Sequence, residues 1–481
     1  MQRSSADPGR HAPAGATAGT LRSRPVRSIG TALVVLALAA AVTACGSRVA
    51  PSAAPVTVAG TGATPATAGG GTVPGGGTTG STPAPAANMV GTLKSPCSAT
   101  KPSGAAGPTA PGVSADKIKL GIISDKKNPQ IPVPTIGVQE GMQAFVNYCN
   151  SLGGINGRQL ELKTYDSGIF KTDDMTKAAC NDGLFALVGD GSVQDQQGVD
   201  TRIKCGLPEV AAYSATTTRS GSKDFFQPVP GTQATKFNVG PCKYIKSKFP
   251  DAITKAAAVY TDVDASKNRA LAIIDACTQV GFKFVVAQGL NFGEKNFQPV
   301  VQEMKSKGVK YFTIVSVVPD TQALLREMKA QDYKPEVIDL GQQYYDVAMS
   351  GEPAADGSYV LTNTVPFFEV ASSPALQLFE TWRKKINGPE TSLGVQAFSA
   401  GLLFAQAAQS LGNDLTRAGL VAALKKIHSW DAGGMQMTTD PGGNVHNSCY
   451  LYLRIQDRKF VRQYPAKGFA CDPTNIVSIA G

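Results

Sequence analysis

The sequence from Ile118 to Asp166 decides the fold. It opens with IKLGIIS (118–124), a short apolar run typical of a buried strand. Apolar residues then recur at helical spacing over 138–152. The following SLGGINGRQLELKTYD (151–166) has glycines that end the helix, an Asn-Gly turn and an alternating run that predicts a second strand. Strand, helix and strand in this order predict a right-handed crossover and a parallel sheet covered by helices.

The string GGINGRQLEL (153–162), between a predicted helix and strand, resembles the opening of the type I periplasmic solute-binding proteins. The resemblance is to their branched-chain amino acid and amide receptor group. It implies an α/β fold with two doubly wound parallel-sheet lobes joined by a three-stranded hinge. The order of predicted elements agrees with this from about Lys117 to the C-terminus.

A change in composition divides the chain before the predicted lobes. Apolar residues 29–44 follow an Arg-rich leader and are too few for a comfortable membrane span, which predicts a signal peptide. The small residues before Cys45 resemble the lipobox of bacterial lipoproteins, in which this cysteine is lipidated; the alternative is an ordinary secretory signal with an incidental cysteine. The predicted segments are a signal peptide at 1–45, a disordered Ala/Thr/Pro/Gly tether at 46–112, lobe 1 at 113–238 and 361–438, and lobe 2 at 239–360 and 439–481.

The cysteine count is consistent with export. The chain has nine cysteines, and eight remain without Cys45, an even number that suggests disulfides in an exported protein. Connectivity does not follow from sequence, so the pairing is a hypothesis; a cystine joining Cys180 and Cys205 also resembles the branched-chain receptors. The hypothesised pairs are Cys97 with Cys149, Cys180 with Cys205, Cys242 with Cys277, and Cys449 with Cys471.

The sequence contains few candidate catalytic residues. The chain has three histidines, one of them in the leader, and it contains neither HExxH nor GxSxG nor a P-loop motif. The formal net charge is +10, but lysines and arginines are spread out rather than clustered with aromatic residues, which argues against nucleic-acid binding. We therefore expect no enzymatic activity, no cofactor and no metal site.

The resemblance also implies where a ligand would bind. In lobe 1 it points to Gln194, and to Ser214 and Thr216, whose hydroxyls are suited to donating to a carboxylate. The alternative for each hydroxyl is a hydrogen bond within a local turn. The neighbouring Tyr213 is expected either as a stacking wall or as part of the core.

Lobe 2 departs from the pattern of amino-acid receptors. Gln343 stands where the family places an acidic residue for the ligand ammonium, with Tyr344 beside it, and Asp262 is the candidate substitute. A neutral amide pairs poorly with a cation. We therefore expect a neutral, polar or aromatic ligand at least as readily as a branched-chain amino acid.

Together these features predict a lipid-anchored extracytoplasmic protein, expected to be a monomer, that captures a small polar molecule for an ABC importer. Its partners would be the ligand, the permease subunits and the membrane. One alternative is a ligand sensor of the same fold without transport. Another, less favoured by the sequence, is an exported cell-wall-active enzyme.

Overall fold

The computed structural model describes residues 88–104, 109–128 and 137–480. The predicted signal peptide, Cys45 and the tether up to residue 87 lie outside the described residues. Lobe 1 is the sheet formed within residues 117–226, with the helices packed on it. Lobe 2 is the sheet formed within residues 256–471, with its helices and the short strands at 236–238 and 476–478.

The prediction of a disordered tether over residues 46–112 is wrong at the C-terminal end of this range. A hairpin of β1 (Met89–Val90) and β2 (Leu93–Lys94) lies against lobe 1. Val90 is fully buried, and the Thr92 amide donates to the Gly433 carbonyl at 3.2 Å. The physical reason is that Val90 and Leu93 give this segment an apolar side to bury, which the Ala/Thr/Pro/Gly sequence before it lacks.

Lobe 1 is built on a five-stranded parallel sheet with strand order β4-β3-β5-β6-β7, which is the 2-1-3-4-5 order of a doubly wound fold. The strand–helix–strand unit predicted from 118–166 is confirmed. The elements of this part are β3 (Lys117–Ser124), α1 (Val138–Ser151), β4 (Gln159–Asp166), α2 (Thr172–Asn181), β5 (Ala186–Val188), α3 (Val199–Lys204), β6 (Glu209–Val210), α4 (Thr217–Ser220) and β7 (Phe225–Phe226).

Lobe 2 repeats the same order in its parallel strands, β10-β9-β11-β12-β13. The short strand β8 pairs with the last strand of the chain, so it joins lobe 2 a few residues before the predicted boundary. The elements are β8 (Lys236–Asn238), α5 (Gly240–Lys248), β9 (Ala256–Thr261), α6 (Asp264–Gln279), β10 (Phe284–Leu290), α7 (Gln298–Ser306), β11 (Tyr311–Val315), α8 (Val318–Ala330), β12 (Val337–Leu340), α9 (Val347–Ser350) and β13 (Tyr359–Thr362).

The chain then returns to lobe 1 and ends in lobe 2, as the resemblance implied. Three helices complete lobe 1: α10 (Pro374–Lys385), α11 (Ser392–Ser410) and α12 (Arg417–Leu424). The remaining strands are β14 (Cys449–Gln456), β15 (Lys459–Tyr464), β16 (Ala470–Cys471) and β17 (Ile476–Ser478). Strands β14 and β15 extend the lobe 2 sheet in antiparallel fashion.

Three crossing segments join the lobes, at 227–235, 363–373 and 425–448. They are tied to one another by hydrogen bonds. The Pro228 carbonyl accepts from the Gln436 amide group at 2.9 Å and from the Thr439 hydroxyl at 2.6 Å, while the Val365 amide donates to the Met435 carbonyl at 2.9 Å. Because the contacts are local, the crossings form one narrow connection, the geometry that a hinge requires.

Four disulfides are present among the described residues, and they are the four hypothesised pairs. Cys97–Cys149 fixes the segment before lobe 1 to α1, and Cys180–Cys205 lies within lobe 1. In lobe 2, Cys242–Cys277 joins α5 to α6, and Cys449–Cys471 joins β14 to β16.

The lobe 1 core depends on a close crossing of α1 and α11. A Cβ atom added to Gly141 would lie 2.1 Å from the Gly394 carbonyl oxygen, so only glycine permits this approach. One turn further along, the rings of Phe145 and Phe398 meet edge to face with centroids 5.7 Å apart. The two helices therefore interlock through a small residue followed by an aromatic pair.

Gly141→Ala is expected to destabilise the protein by about 1–3 kcal/mol, because the methyl group forces the two helices apart. Intrinsic helix propensity alone predicts the opposite sign, a gain of about 1 kcal/mol. Urea unfolding measures the change. Gly351→Ala is the control, since its added Cβ meets only its own turn, at 3.3 Å from the Val347 carbonyl. Equal effects in both variants would contradict the close crossing.

Candidate functional site

A cavity of about 320 Å³ lies between the lobes. Its walls include the loops that follow β6, β11 and β12, namely residues 213–215, 316–318 and 341–343, together with parts of the crossing segments. These loops stand at the carboxyl ends of parallel strands, where doubly wound folds bind their ligands. The position of the cavity therefore makes it the candidate ligand site.

The lobes touch each other across the mouth of this cavity. Ile169 and Val193 of lobe 1 form an apolar cluster with Phe292 and Val317 of lobe 2. The ring of Phe170 meets that of Phe292 edge to face at 5.0 Å. Because residues of both lobes are in contact here, the structure has the closed arrangement of the cleft.

The hydroxyls of Ser214 and Thr216 both form hydrogen bonds to Asp195. Ser214 Oγ lies 3.1 Å from Asp195 Oδ2, and Thr216 Oγ1 lies 2.5 Å from Asp195 Oδ1. The Ala215 amide donates to the same carboxylate at 2.7 Å. Ser214 Oγ also donates to the Thr216 carbonyl at 2.9 Å, a bond within the local turn. Both hydroxyls are thus engaged within the protein, and of the two residues only Ser214 lines the cavity.

The Asp195 carboxylate belongs to a buried ionic cluster centred on Arg219. Its guanidinium pairs with Asp190 and Glu209 and lies 3.4 Å from Asp195, and all four side chains are at most 5% exposed. Burial raises the pKa of Glu209, but the guanidiniums of Arg219 and Arg202 outweigh burial and hold that pKa at about 2. For Asp190, burial and the neighbouring Glu209 raise the pKa well above its usual range.

This cluster positions the lobe 1 wall of the cavity. Arg219 Nη1 donates to the Tyr213 carbonyl at 3.3 Å, which fixes the loop after β6. The Tyr213 ring packs on Gly191, where a Cβ atom would lie 2.3 Å from Tyr213 Cε1. Tyr213 therefore lines the cavity as a wall. The sequence analysis did not identify this cluster. Its only sign in the sequence is that Asp190 follows β5 and Glu209 lies in β6, with the basic residue Arg219 in the next helix.

Three of the other predicted residues lie away from the cavity. Gln194 is 8% exposed, and its Oε1 accepts from Gln196 Nε2 at 2.8 Å. Asp262 is exposed and pairs with Lys267 at 3.4 Å, so it is not available to a ligand as the predicted substitute acid. Tyr344 is fully buried in lobe 2, where its hydroxyl lies 2.9 Å from that of Thr321. These placements correct the sequence-based site.

Gln343 does line the cavity, and the next aromatic residue lining it is Tyr345 rather than Tyr344. The Tyr345 hydroxyl accepts from the Phe367 amide at 2.7 Å. Burial raises the pKa of Tyr345, so it remains a neutral phenol at physiological pH. Tyr344 lies at the end of the 3₁₀ turn Gln342–Tyr344 and is buried within lobe 2.

The structure adds a group at the cavity that the sequence did not reveal. Arg269 of α6 is the only lysine or arginine among the described residues that line it. Its guanidinium lies over the Phe237 ring, 4.5 Å from the centroid, and beside His446. Burial, with a contribution from Arg269, lowers the pKa of His446 to about 4, so this imidazole is neutral at physiological pH.

Within the described part of the chain, no group of three or more ligating side chains could hold a metal ion. No helix there is both long enough and apolar enough to cross a membrane.

Arg219→Met is expected to lower the free energy of unfolding by about 3–5 kcal/mol, because it leaves buried carboxylates without their cation. Lys177→Met is the control, since Lys177 is 57% exposed and pairs with Asp173, which is 37% exposed; a loss below about 1 kcal/mol is expected there. Urea unfolding of both variants measures the difference, and similar losses would contradict the assigned role of the cluster.

The fold and the cavity can now be compared with known proteins. The family model described as "Periplasmic binding protein" matches residues 117–459. The leucine-, isoleucine-, valine-, threonine- and alanine-binding protein of Pseudomonas aeruginosa is 24% identical over 308 residues, which make up 62% of this chain and 80% of that protein.

Solved structures of similar fold cover almost all of their own length. The branched-chain amino acid transporter substrate-binding protein of Streptococcus pneumoniae, in complex with isoleucine, superposes with a TM-score of 0.59 at 17% identity, covering 76% of this chain and 100% of that one. The fatty acid ABC transporter substrate-binding protein of Thermomonospora curvata has a TM-score of 0.63 at 18% identity, covering 77% and 97%. With a family match over well more than half of its length, this chain belongs to the periplasmic binding protein family.

Proposed function

We propose that this protein is an exported, lipid-anchored solute-binding protein that captures a small molecule with a polar group and delivers it to an ABC importer. The family consists of solute-binding proteins and not of enzymes, in agreement with the lack of catalytic motifs in the sequence. The names of similar proteins, which record amino acid binding and ABC transport, support the transport role.

The observation that carries the proposal is the cavity that both lobes enclose beside one narrow connection. A ligand that contacts both walls binds the closed form better than the open form, and so shifts the equilibrium towards closure. Tyr213 and Ala215 of lobe 1 face this space together with Val317 and Gln343 of lobe 2. Closure would then present one continuous surface, made by both lobes, to the permease.

Anchoring at the membrane is the second part of the proposal. The leader ends in VTAC, and Cys45 is followed by a long Ala/Thr/Pro/Gly segment. Stable attachment requires at least two lipid signals, which acylation at one cysteine with more than one chain supplies. The segment from 46 to 87 would connect the anchor to the folded lobes.

Binding is tested by thermal shift of the purified chain against amino acids, amides, ureas, sugars and aromatic or aliphatic acids. A ligand at about a hundred times its Kd should stabilise the fold by about 2.7 kcal/mol. Ala215→Trp, which fills the cavity, should abolish the shift, whereas Ala348→Trp on the exposed side of α9 should retain it. A shift retained in Ala215→Trp, or none with any compound, would contradict binding in the cleft.

Cys45→Ser is expected to move the protein from the membrane fraction to the soluble fraction, because it removes the acylation site. Ser47→Ala, two residues away, should leave the protein in the membrane fraction. Fractionation followed by immunoblotting measures both. Retention of the Cys45→Ser chain in the membrane fraction would show that another feature attaches it.

A further inference from the structure

The cavity does not end at the cleft but continues into lobe 2 as a channel beneath α6. One wall is the face of α6 that carries Ala265, Arg269, Ile273 and Cys277, four residues apart and so aligned along the helix. The facing wall includes alternate residues of β11, from Val315 at the cleft to Tyr311 at the depth of the lobe. From Arg269 to Cys277 the helix rises about 12 Å, which sets the length of the channel.

The deep part of the channel is lined mainly by apolar groups. Ile273 and Leu361 contribute aliphatic side chains, and Phe237 and Tyr450 contribute rings, with the Cys242–Cys277 disulfide at the inner end. At about 320 Å³ the whole cavity has about twice the volume of an apolar cavity of roughly 150 Å³ that takes up benzene. It therefore has room for an apolar group larger than the side chain of a small amino acid.

The two carboxylates that line the cavity among the described residues already have donors. Asp339 accepts from the Tyr311 hydroxyl at 2.8 Å and from the Tyr452 hydroxyl at 3.0 Å. Asp346 accepts from the Ala348 amide at 2.7 Å, where it caps α9. Both carboxylates therefore already have a structural role, Asp339 beside two tyrosine hydroxyls and Asp346 at the start of α9. The cavity offers a ligand ammonium no carboxylate without such a role among the described residues.

Among the described residues, two N–H donors that line the cavity lack a close acceptor, unlike the two carboxylates. Within the described residues, Arg269 forms no ion pair, and its one hydrogen bond is a long one, 3.4 Å to the Gly231 carbonyl. Burial lowers its pKa to about 10, so the guanidinium is still charged at physiological pH. Gln227, at the start of the first crossing segment, lines the same cavity at 2% exposure, and its Nε2 has no partner among the described residues. Arg269 is only partly exposed, so a carboxylate that replaces water at its guanidinium would gain charge-assisted hydrogen bonds.

We propose that the ligand is a carboxylate without an α-ammonium group and with an extended apolar tail. Its carboxylate binds Arg269 of lobe 2 and Gln227 at the start of the first crossing segment, and its tail lies in the channel beneath α6. This assignment rests on the solute-binding function proposed above and names the ligand class of that site.

The test is calorimetric titration of the full chain carrying Cys45→Ser, freed of bound compounds by unfolding in guanidinium with disulfides intact and refolding. Decanoate should bind, decanol and leucine should bind much more weakly, and affinity should rise roughly fourfold per methylene from butanoate to decanoate. Leucine binding at least as tightly as decanoate, or no dependence on chain length, would overturn the assignment.

Variants locate the two ends of the ligand. Arg269→Gln should weaken decanoate at least tenfold, with Arg269→Lys in between because it keeps the charge but not the planar pair of donors. Lys267→Gln on the exposed side of α6 is the charge-matched control and should bind as the parent chain does. Ile273→Trp should reduce the gain from longer tails and leave butanoate unaffected. Equal decanoate affinity in Arg269→Gln and Lys267→Gln would overturn the assignment of the headgroup.

Two measurements distinguish an effect on folding stability from an effect on ligand binding. Arg269→Gln removes a partly exposed cation that has no ion pair among the described residues, so its melting temperature without ligand should stay close to that of the parent chain. A lower melting temperature would show that Arg269 has a structural role instead. If no carboxylate binds while another compound shifts the melting temperature through the cleft, this inference fails and the solute-binding function stands. If nothing binds at all, both fail.

Discussion

A charge buried in a protein needs a counter-charge, and this constraint shapes both walls of the cleft. In lobe 1 the constraint is met within the chain, because Arg219 is surrounded by Asp190, Asp195 and Glu209. Those pairs hold the loop that carries Tyr213. In lobe 2, Arg269 has no carboxylate partner among the described residues. The first cation fixes the shape of the site, and the second determines what the site attracts.

The topology explains why these groups meet. Every strand of the lobe 1 sheet, and β9–β13 of the lobe 2 sheet, are parallel, so the loops at their carboxyl ends collect along one edge of each sheet. The three crossing segments hold the two edges opposite each other through bonds such as those to the Pro228 carbonyl. Outside the crossing segments the lobes meet at the apolar cluster that includes Phe292 and at the hydrogen bond from the Ser392 hydroxyl to the Gln342 carbonyl, and opening would separate these contacts.

The fold could be predicted from the sequence because local residue patterns indicate its strands, helices and turns. The apolar run at 118–124, the helical spacing after it and the glycines at 153 and 154 each have a local physical meaning, and the structure confirms the unit they predict. The site could not be predicted to the same degree. Ser214 and Thr216 carry suitable hydroxyls, but their partner, Asp195, is a neighbour only in space. Arg269 resembles any surface arginine of a helix until the sheet beneath α6 is in place.

Native mass spectrometry of the chain purified from its own host, without unfolding, tests the central claim most directly. We expect one small molecule bound per chain, released on denaturation and identified as a carboxylate with an apolar tail. Arg269→Gln should lose most of this adduct, and Lys267→Gln should keep it. A chain that carries an α-amino acid, or an adduct that persists in Arg269→Gln, would contradict the account.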